Sequence, residues 1–175
     1  PRKYRLRLLN GSDSRFYDLR FETFAADKTI APGAGVPLQV LVIGNELGLL
    51  DQPALPALDG RPGIPAVPGV LPVAPGERYD VIVDFSKVPA GSRVVVTNSA
   101  RSPYPDADLP EKGFTDRLMA FNVVLPRNAA IPEATVALGT PLRPQLNPLD
   151  PLPSKASKLP VRRIMLYEGT DLFGR

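Results

Sequence analysis

Aspartate and glutamate are the side chains with which this chain could do chemistry, because its 175 residues contain neither histidine nor cysteine. Imidazole and thiolate are the usual ligands of zinc, copper and iron-sulfur centres, and histidine is the side chain that titrates nearest to neutral pH. A metal centre of that kind, or a catalytic site based on histidine or cysteine, is therefore excluded for this chain alone. Catalysis by carboxylates or lysine remains open, as does a role without catalysis.

The first carboxylate pair, Asp80 and Asp84, lies in an alternating segment and so shares one face of a predicted strand. Four residues at ~3.3 Å each separate the two groups by roughly 13 Å, which exceeds the ~5 to 9.5 Å between the carboxylates of glycosidases. The spacing favours two solvated side chains over a catalytic pair.

The second carboxylate group comprises Asp106, Asp108 and Glu111 in a segment that also contains proline. Clustered oxygens could bind calcium, but the glycine and the residue spacing of the common calcium loop are absent. The Gly-Ala-Gly sequence at residues 33–35 likewise lacks the third glycine and the following helix of a phosphate-binding loop. We therefore predict no catalytic, cofactor-binding or metal-binding residue in this chain.

The net charge of +3 does not indicate a nucleic-acid partner, because acidic residues accompany most of the scattered arginines. The densest basic cluster, Arg2, Lys3, Arg5 and Arg7, falls on one predicted strand and forms no extended stripe with interleaved aromatic residues. No apolar run approaches the ~20 residues of a membrane span. We predict neither nucleic-acid binding nor a membrane span.

Alternation of apolar and polar residues recurs along the chain, whereas helical periodicity is nearly absent. The 22 prolines are spread through almost every connection, which also disfavours helices. The pattern predicts an all-β antiparallel sandwich or barrel. The alternating runs at residues 4–8 and 17–22 are predicted to be strands buried on one face only. The predicted strands cover residues 4–8, 17–22, 38–43, 79–85, 93–98, 118–125 and 161–167.

Four connections are informative: two contain residues that favour turns, and two are unusually long. The turn formers at residues 10–14 predict a hairpin or a corner where the chain changes sheets. The Ala-Pro-Gly-Glu sequence at residues 74–77 predicts a type II turn, because glycine accepts the positive φ that this turn requires. Residues 51–69 and 126–160 are long and rich in proline, and the second is typical of a semi-rigid, extended linker.

Several stretches, taken in order, resemble the middle domain of three-domain multicopper oxidases of the spore-coat laccase, bilirubin oxidase and phenoxazinone synthase type. The most specific is Ala-Pro-Gly-Glu-Arg-Tyr-Asp at residues 74–80, which is similar to the family's characteristic turn and strand. The last stretch resembles the first strand of the third domain. The matching stretches are residues 1–17, 42–53, 73–85, 96–100, 119–123 and 162–175.

The resemblance implies a cupredoxin-like fold, a Greek-key β-sandwich, in agreement with the predicted strands. It implies that residues 1–125 form the copper-free middle domain, 126–160 the interdomain linker and 161–175 the start of the following cupredoxin domain. Copper is then the cofactor of the full-length protein, bound by its first and third domains, and no copper ligand can be carried onto this chain. Those two flanking domains are the implied partners.

The resemblance also places the loop that contains Leu47, Leu49, Leu50 and Asp51 near the substrate entrance of the full-length oxidase, although its apolar residues fit interdomain packing better. Residues 161–167, if they evolved to pair within the next domain, would present an unpaired edge and could mediate self-association. The full-length protein is expected in the periplasm, outside the cell or on the spore.

The preferred hypothesis is a structural segment, inactive alone, of an oxidase that oxidises phenolic or similar donors one electron at a time and reduces dioxygen to water. One alternative is the middle domain of a copper-free relative that serves as a periplasmic scaffold or cell-division protein. Another alternative is an independent β-sandwich interaction module. An opening proline and a strand-like run near the last residue favour a segment of a longer protein.

Overall fold

The computed structural model describes residues 1–58, 66–133 and 135–144. These residues form strands and no helix, so they include no helix that could cross a membrane. The predicted strand at 161–167 and the second half of the predicted linker lie outside the described residues. In chain order the strands are β1 (Lys3–Leu9), β2 (Tyr17–Phe24), β3 (Val36–Pro37), β4 (Val40–Asn45), β5 (Gly48–Ala54), β6 (Ala57–Leu58), β7 (Val67–Pro68), β8 (Leu71–Val73), β9 (Arg78–Asp84), β10 (Arg93–Asn98) and β11 (Arg117–Asn122).

Two antiparallel sheets enclose the core. The first has the strand order β1-β9-β4-β5, and the second has the order β11-β10-β2-β3, with β8 also paired to β2. Strands β6 and β7 pair separately. Because β1 and β2 belong to different sheets, the turn at residues 10–14 is a corner. Asn10 holds it, since its buried side chain donates to the carbonyl oxygens of Arg15 at 2.8 Å and Val73 at 2.9 Å.

Valine fills much of the space between the sheets, because alternate positions of each strand face inward and β-branched side chains pack well there. Val81, Val83 and Val94 are 0% exposed. Complete burial of one such side chain contributes about 1.5 to 3 kcal/mol. The remaining core residues are Leu19, Phe21, Val40, Val42, Leu71, Val73, Phe85, Val88, Val96 and Val123.

Strand β4 is buried on both faces, as its continuous apolar sequence predicts. Val40 and Val42 face the core, whereas Leu41 and Ile43 face away from it and are equally covered. Residues 51–69, predicted to be a long loop, contain the end of β5 and the short strands β6 and β7 in the structure. Cross-strand pairing holds these short segments, although their sequence shows no alternation.

Residues 126–144, here called the strap, follow β11 and contact both edges of the first sheet. The backbone N–H of Lys3 on β1 donates to Glu133 Oε1 at 2.6 Å. The N–H of Leu142 donates to the carbonyl oxygen of Asp51 on β5 at 2.9 Å. The strap therefore lies with the two sheets in one compact unit, Pro1–Pro144.

Candidate functional site

Asp80 is held by two arginines of the neighbouring strand. Arg5 Nε donates to Asp80 Oδ1 at 2.8 Å, its Nη2 donates to Oδ2, and Arg7 Nε lies 3.9 Å from Oδ2. The pairing of β1 with β9 sets Arg7 directly opposite Asp80. The hydrogen bond from Arg5 holds the pKa of Asp80 below its usual range, so this carboxylate stays ionised near neutral pH. A group in that state is a poor general acid.

Asp84, the other member of the predicted strand face, has a separate set of partners. Its Oδ1 accepts a hydrogen bond from the N–H of Ser86 at 2.9 Å. Burial raises the pKa of Asp84, but the hydrogen bonds from Ser86 and the charges of Lys3 and Lys87 outweigh burial, and the pKa lies below its usual range. Each aspartate of the pair is thus occupied by its own neighbours.

The acidic segment at Asp106, Asp108 and Glu111 forms a turn through its backbone. The N–H of Ser102 donates to the carbonyl oxygen of Asp108 at 2.9 Å, and the N–H of Thr115 donates to that of Glu111 at 3.0 Å. Within the described ranges, no group of three or more acidic side chains is placed to hold a metal ion.

A buried polar cluster that the sequence pattern did not reveal lies on the outer face of the second sheet. Glu22 is 1% exposed, and its Oε2 accepts hydrogen bonds from the N–H of Gly33 at 3.0 Å and from Thr97 Oγ1 at 2.5 Å. Gly33 has a φ of 80°, in the region that favours glycine. The first glycine of the Gly-Ala-Gly sequence therefore binds a carboxyl group of the chain itself.

The loop between β2 and β3, residues 25–35, covers this cluster. Arg117 Nη2 donates to the carbonyl oxygen of Ile30 at 3.2 Å and ties the loop to β11. The prediction that β2 is buried on one face only is therefore wrong. Alternation shows which side chains share a face of a strand, but not what covers that face.

Asp18, on the same outer face, is a second buried carboxyl group. It is 6% exposed, and its Oδ1 has no hydrogen-bond partner. Burial raises the pKa of Asp18, and the charge of Arg20 offsets this in part. Backbone hydrogen bonds hold Asp18 in place. Its N–H donates to Asn98 Oδ1 at 3.0 Å, and its carbonyl oxygen accepts from Ser99 N–H at 3.1 Å.

The four residues predicted near a substrate entrance lie on the β4–β5 hairpin rather than in a loop. Leu47 is at the tip and 95% exposed, and Leu49 is 40% exposed. Leu50 is partly buried and packs against the core. The side chain of Asp51 accepts a hydrogen bond from Arg143 Nε of the strap at 2.5 Å. The hairpin thus has an exposed apolar tip and a fixed base.

Comparison with known proteins identifies relatives along the whole chain. It is 31% identical over 180 residues to a laccase of Bacillus stratosphericus, an alignment that covers 100% of this chain and 27% of the laccase. It is 28% identical over 141 residues to multicopper oxidase LPR1 homolog 5 of Oryza sativa subsp. japonica, covering 75% of this chain and 18% of that protein. No protein-family model matches. The chain spans about a quarter or less of the length of these relatives.

Two solved structures give the same result for the fold. McoA multicopper oxidase from the hyperthermophile Aquifex aeolicus is 25% identical with a TM-score of 0.51, covering 85% of this chain and 25% of that chain. Its 2F4 variant is 27% identical with a TM-score of 0.53, covering 85% and 26%. The likeness confirms the expected cupredoxin-like Greek-key sandwich. From ordered motifs, related sequences and a shared fold, we conclude that the chain belongs to the multicopper oxidase family.

Proposed function

We propose that residues 1–175 are a structural segment of a multicopper oxidase: the middle cupredoxin domain, which bridges two copper-bearing domains, with the start of the third. One observation carries the proposal. The laccase alignment runs through the whole chain but covers 27% of the laccase, and the chain offers no histidine or cysteine with which to bind copper. The flanking first and third domains are the proposed partners.

The proposed boundaries are those that the family motifs imply. Residues 1–125 form the middle domain, 126–160 connect it to the next domain, and 161–175 begin that domain. Copper, bound outside this chain, supplies the one-electron oxidation of phenolic or similar donors and the reduction of dioxygen to water. The residues of this chain bridge the two flanking domains and fix their relative orientation.

The β4–β5 hairpin is the part of this chain that we assign to the substrate entrance. Leu47 and Leu49 are exposed and apolar, as the wall of a channel for aromatic donors requires. Asp51 fixes the base of the hairpin through Arg143. Packing against a flanking domain is the competing role for the same leucines.

The full-length protein tests the proposal. Expressed with copper in the medium, it should bind copper, show the absorption of a copper-thiolate centre and consume dioxygen with a phenolic donor. The chain of residues 1–175, expressed alone under the same conditions, should bind no stoichiometric copper. A full-length protein that binds no copper would favour the copper-free scaffold, and firm copper binding by the isolated chain would contradict the structural role.

A further inference from the structure

The sandwich is open along one side in the described part of the fold, between the edge strands β1 and β11. Tyr4 of β1 and Phe121 of β11 line one cavity of about 380 Å³. Leu9 of β1 and Leu118 of β11 line a second cavity of about 370 Å³. We call this opening the seam. Its two ends are each lined by both strands, so β1 and β11 run antiparallel across it.

Side chains that face the core are exposed in the seam. Met119 and Phe121 are paired with Val96 and Val94, which belong to the core. Met119 is nevertheless 51% exposed, and Tyr4 across the seam is 49% exposed. Large apolar side chains at core-facing positions are normally covered, and the free edge of a strand offers unpaired backbone groups to another strand.

The seam has the dimensions of one strand. Its floor is aromatic, since the ring of Phe85 lies 5.6 Å from that of Tyr4 and 5.3 Å from that of Phe121. From Tyr4 to Leu9 the edge of β1 extends for roughly 17 Å at ~3.3 Å per residue. A strand of about five or six residues has this length, and it would direct every second side chain into the seam.

We propose that a β-strand with apolar residues at alternate positions fills the seam by pairing with the edge of β11 that no described strand occupies. We propose further that the polypeptide preceding Pro1 in the full-length oxidase supplies this strand. Pro1 itself lines the first cavity, so residues joined to its nitrogen start at the mouth of the seam. Relatives such as the laccase have the additional length, since this chain covers 27% of it. The inference rests on the proposed function, because a longer protein must provide the strand.

Amide hydrogen exchange on the full-length protein tests the proposal. The edge amides of residues 118–122 that do not bond to β10 should exchange at least about a hundredfold more slowly than unstructured peptide. Deleting the polypeptide before Pro1 should remove this protection. Met119→Asp, which places a charge in the seam, should also remove it. Ala120→Asp, on the opposite face of the same strand, should leave it unchanged.

Three results would overturn the proposal: edge amides that exchange at the unstructured rate in the wild-type protein, protection that survives the deletion, and protection that appears only as the protein dimerises in sedimentation. The last would make a second copy the occupant. Copper content separates this proposal from the proposed function. A protected edge in a full-length protein without copper would contradict the proposed oxidase function but support the seam strand. An unprotected edge in a copper-loaded oxidase would contradict the seam strand but leave the proposed function intact.

Discussion

At the residue scale, the ionised side chains of this domain join neighbouring strands. The hydrogen bond from Arg5 holds the pKa of Asp80 below the ~3.9 of an ordinary aspartate, so the pKa is lower in the folded state than in the unfolded chain. The pair therefore stabilises the fold fully above the unfolded pKa. This contribution is lost as the pH falls through the folded pKa.

We expect Asp80→Asn to be less stable than the wild type at pH 7, and the difference to shrink below about pH 4 as the wild-type carboxylate takes up a proton. Urea unfolding at a series of pH values measures this. Asp27→Asn, which removes a carboxylate at an exposed position of the 25–35 loop, is the matched control and should change the stability at pH 7 by no more than about 0.5 kcal/mol. A stability difference that stays constant with pH would show that Asp80 acts by packing and not by charge.

At the element scale, two segments outside the strands are bonded to the two sheets. The 25–35 loop covers Glu22 on the second sheet. On the first sheet, Leu41 and Ile43 are 4% and 5% exposed although they face away from the core. The strap is bonded to both edges of that sheet, to β1 through Lys3 and to β5 through Asp51.

Gly35 shows how closely the 25–35 loop fits. A Cβ at this position would lie 2.8 Å from Glu22 Cβ and from the ring of Phe24. Gly35→Ala should therefore lower the free energy of unfolding by about 1 to 3 kcal/mol, the usual cost of overpacking. Chemical denaturation measures this, with Gly11→Ala as the control.

Gly11 suits the comparison because a Cβ there meets nothing within 4 Å and its φ is not positive. Gly11→Ala should be neutral or stabilising by up to about 1 kcal/mol, since alanine restricts the unfolded chain. Equal effects of the two substitutions would mean that the loop moves away from β2 at little cost.

The same elements show what a sequence can predict. Strict alternation located β1, β2 and β9, and a continuous apolar run located β4, because the side-chain period of a strand is a local property of the sequence. The corner at Asn10 was one of two open interpretations, since the choice depends on Val73, far along the chain. The partners of Asp80 and Glu22 were not predictable for the same reason. Arg5 and Thr97 are each 75 residues away and arrive through strand pairing.

At the scale of the whole molecule, Asp51 joins the two features that bear on the proposed oxidase. It stands at the base of the hairpin that we assign to the substrate entrance, and both its backbone and its side chain hold the strap. The side chains of Asp51 and Arg143 are 75% and 39% exposed, so their pair adds little to folding. Its effect should instead appear in the position of the hairpin.

In the full-length oxidase, Asp51→Asn and Arg143→Gln should each raise the KM for a phenolic donor by about two- to fivefold, the size expected of an exposed ion pair. kcat should not change, because the reacting centres lie elsewhere. The double variant should match either single variant, since both remove one interaction. A KM raised by Asp51→Asn alone would mean that Asp51 contacts the donor directly. A KM unchanged in all three variants would favour packing between domains as the role of the hairpin, because loosening its base would then leave donor binding unaffected.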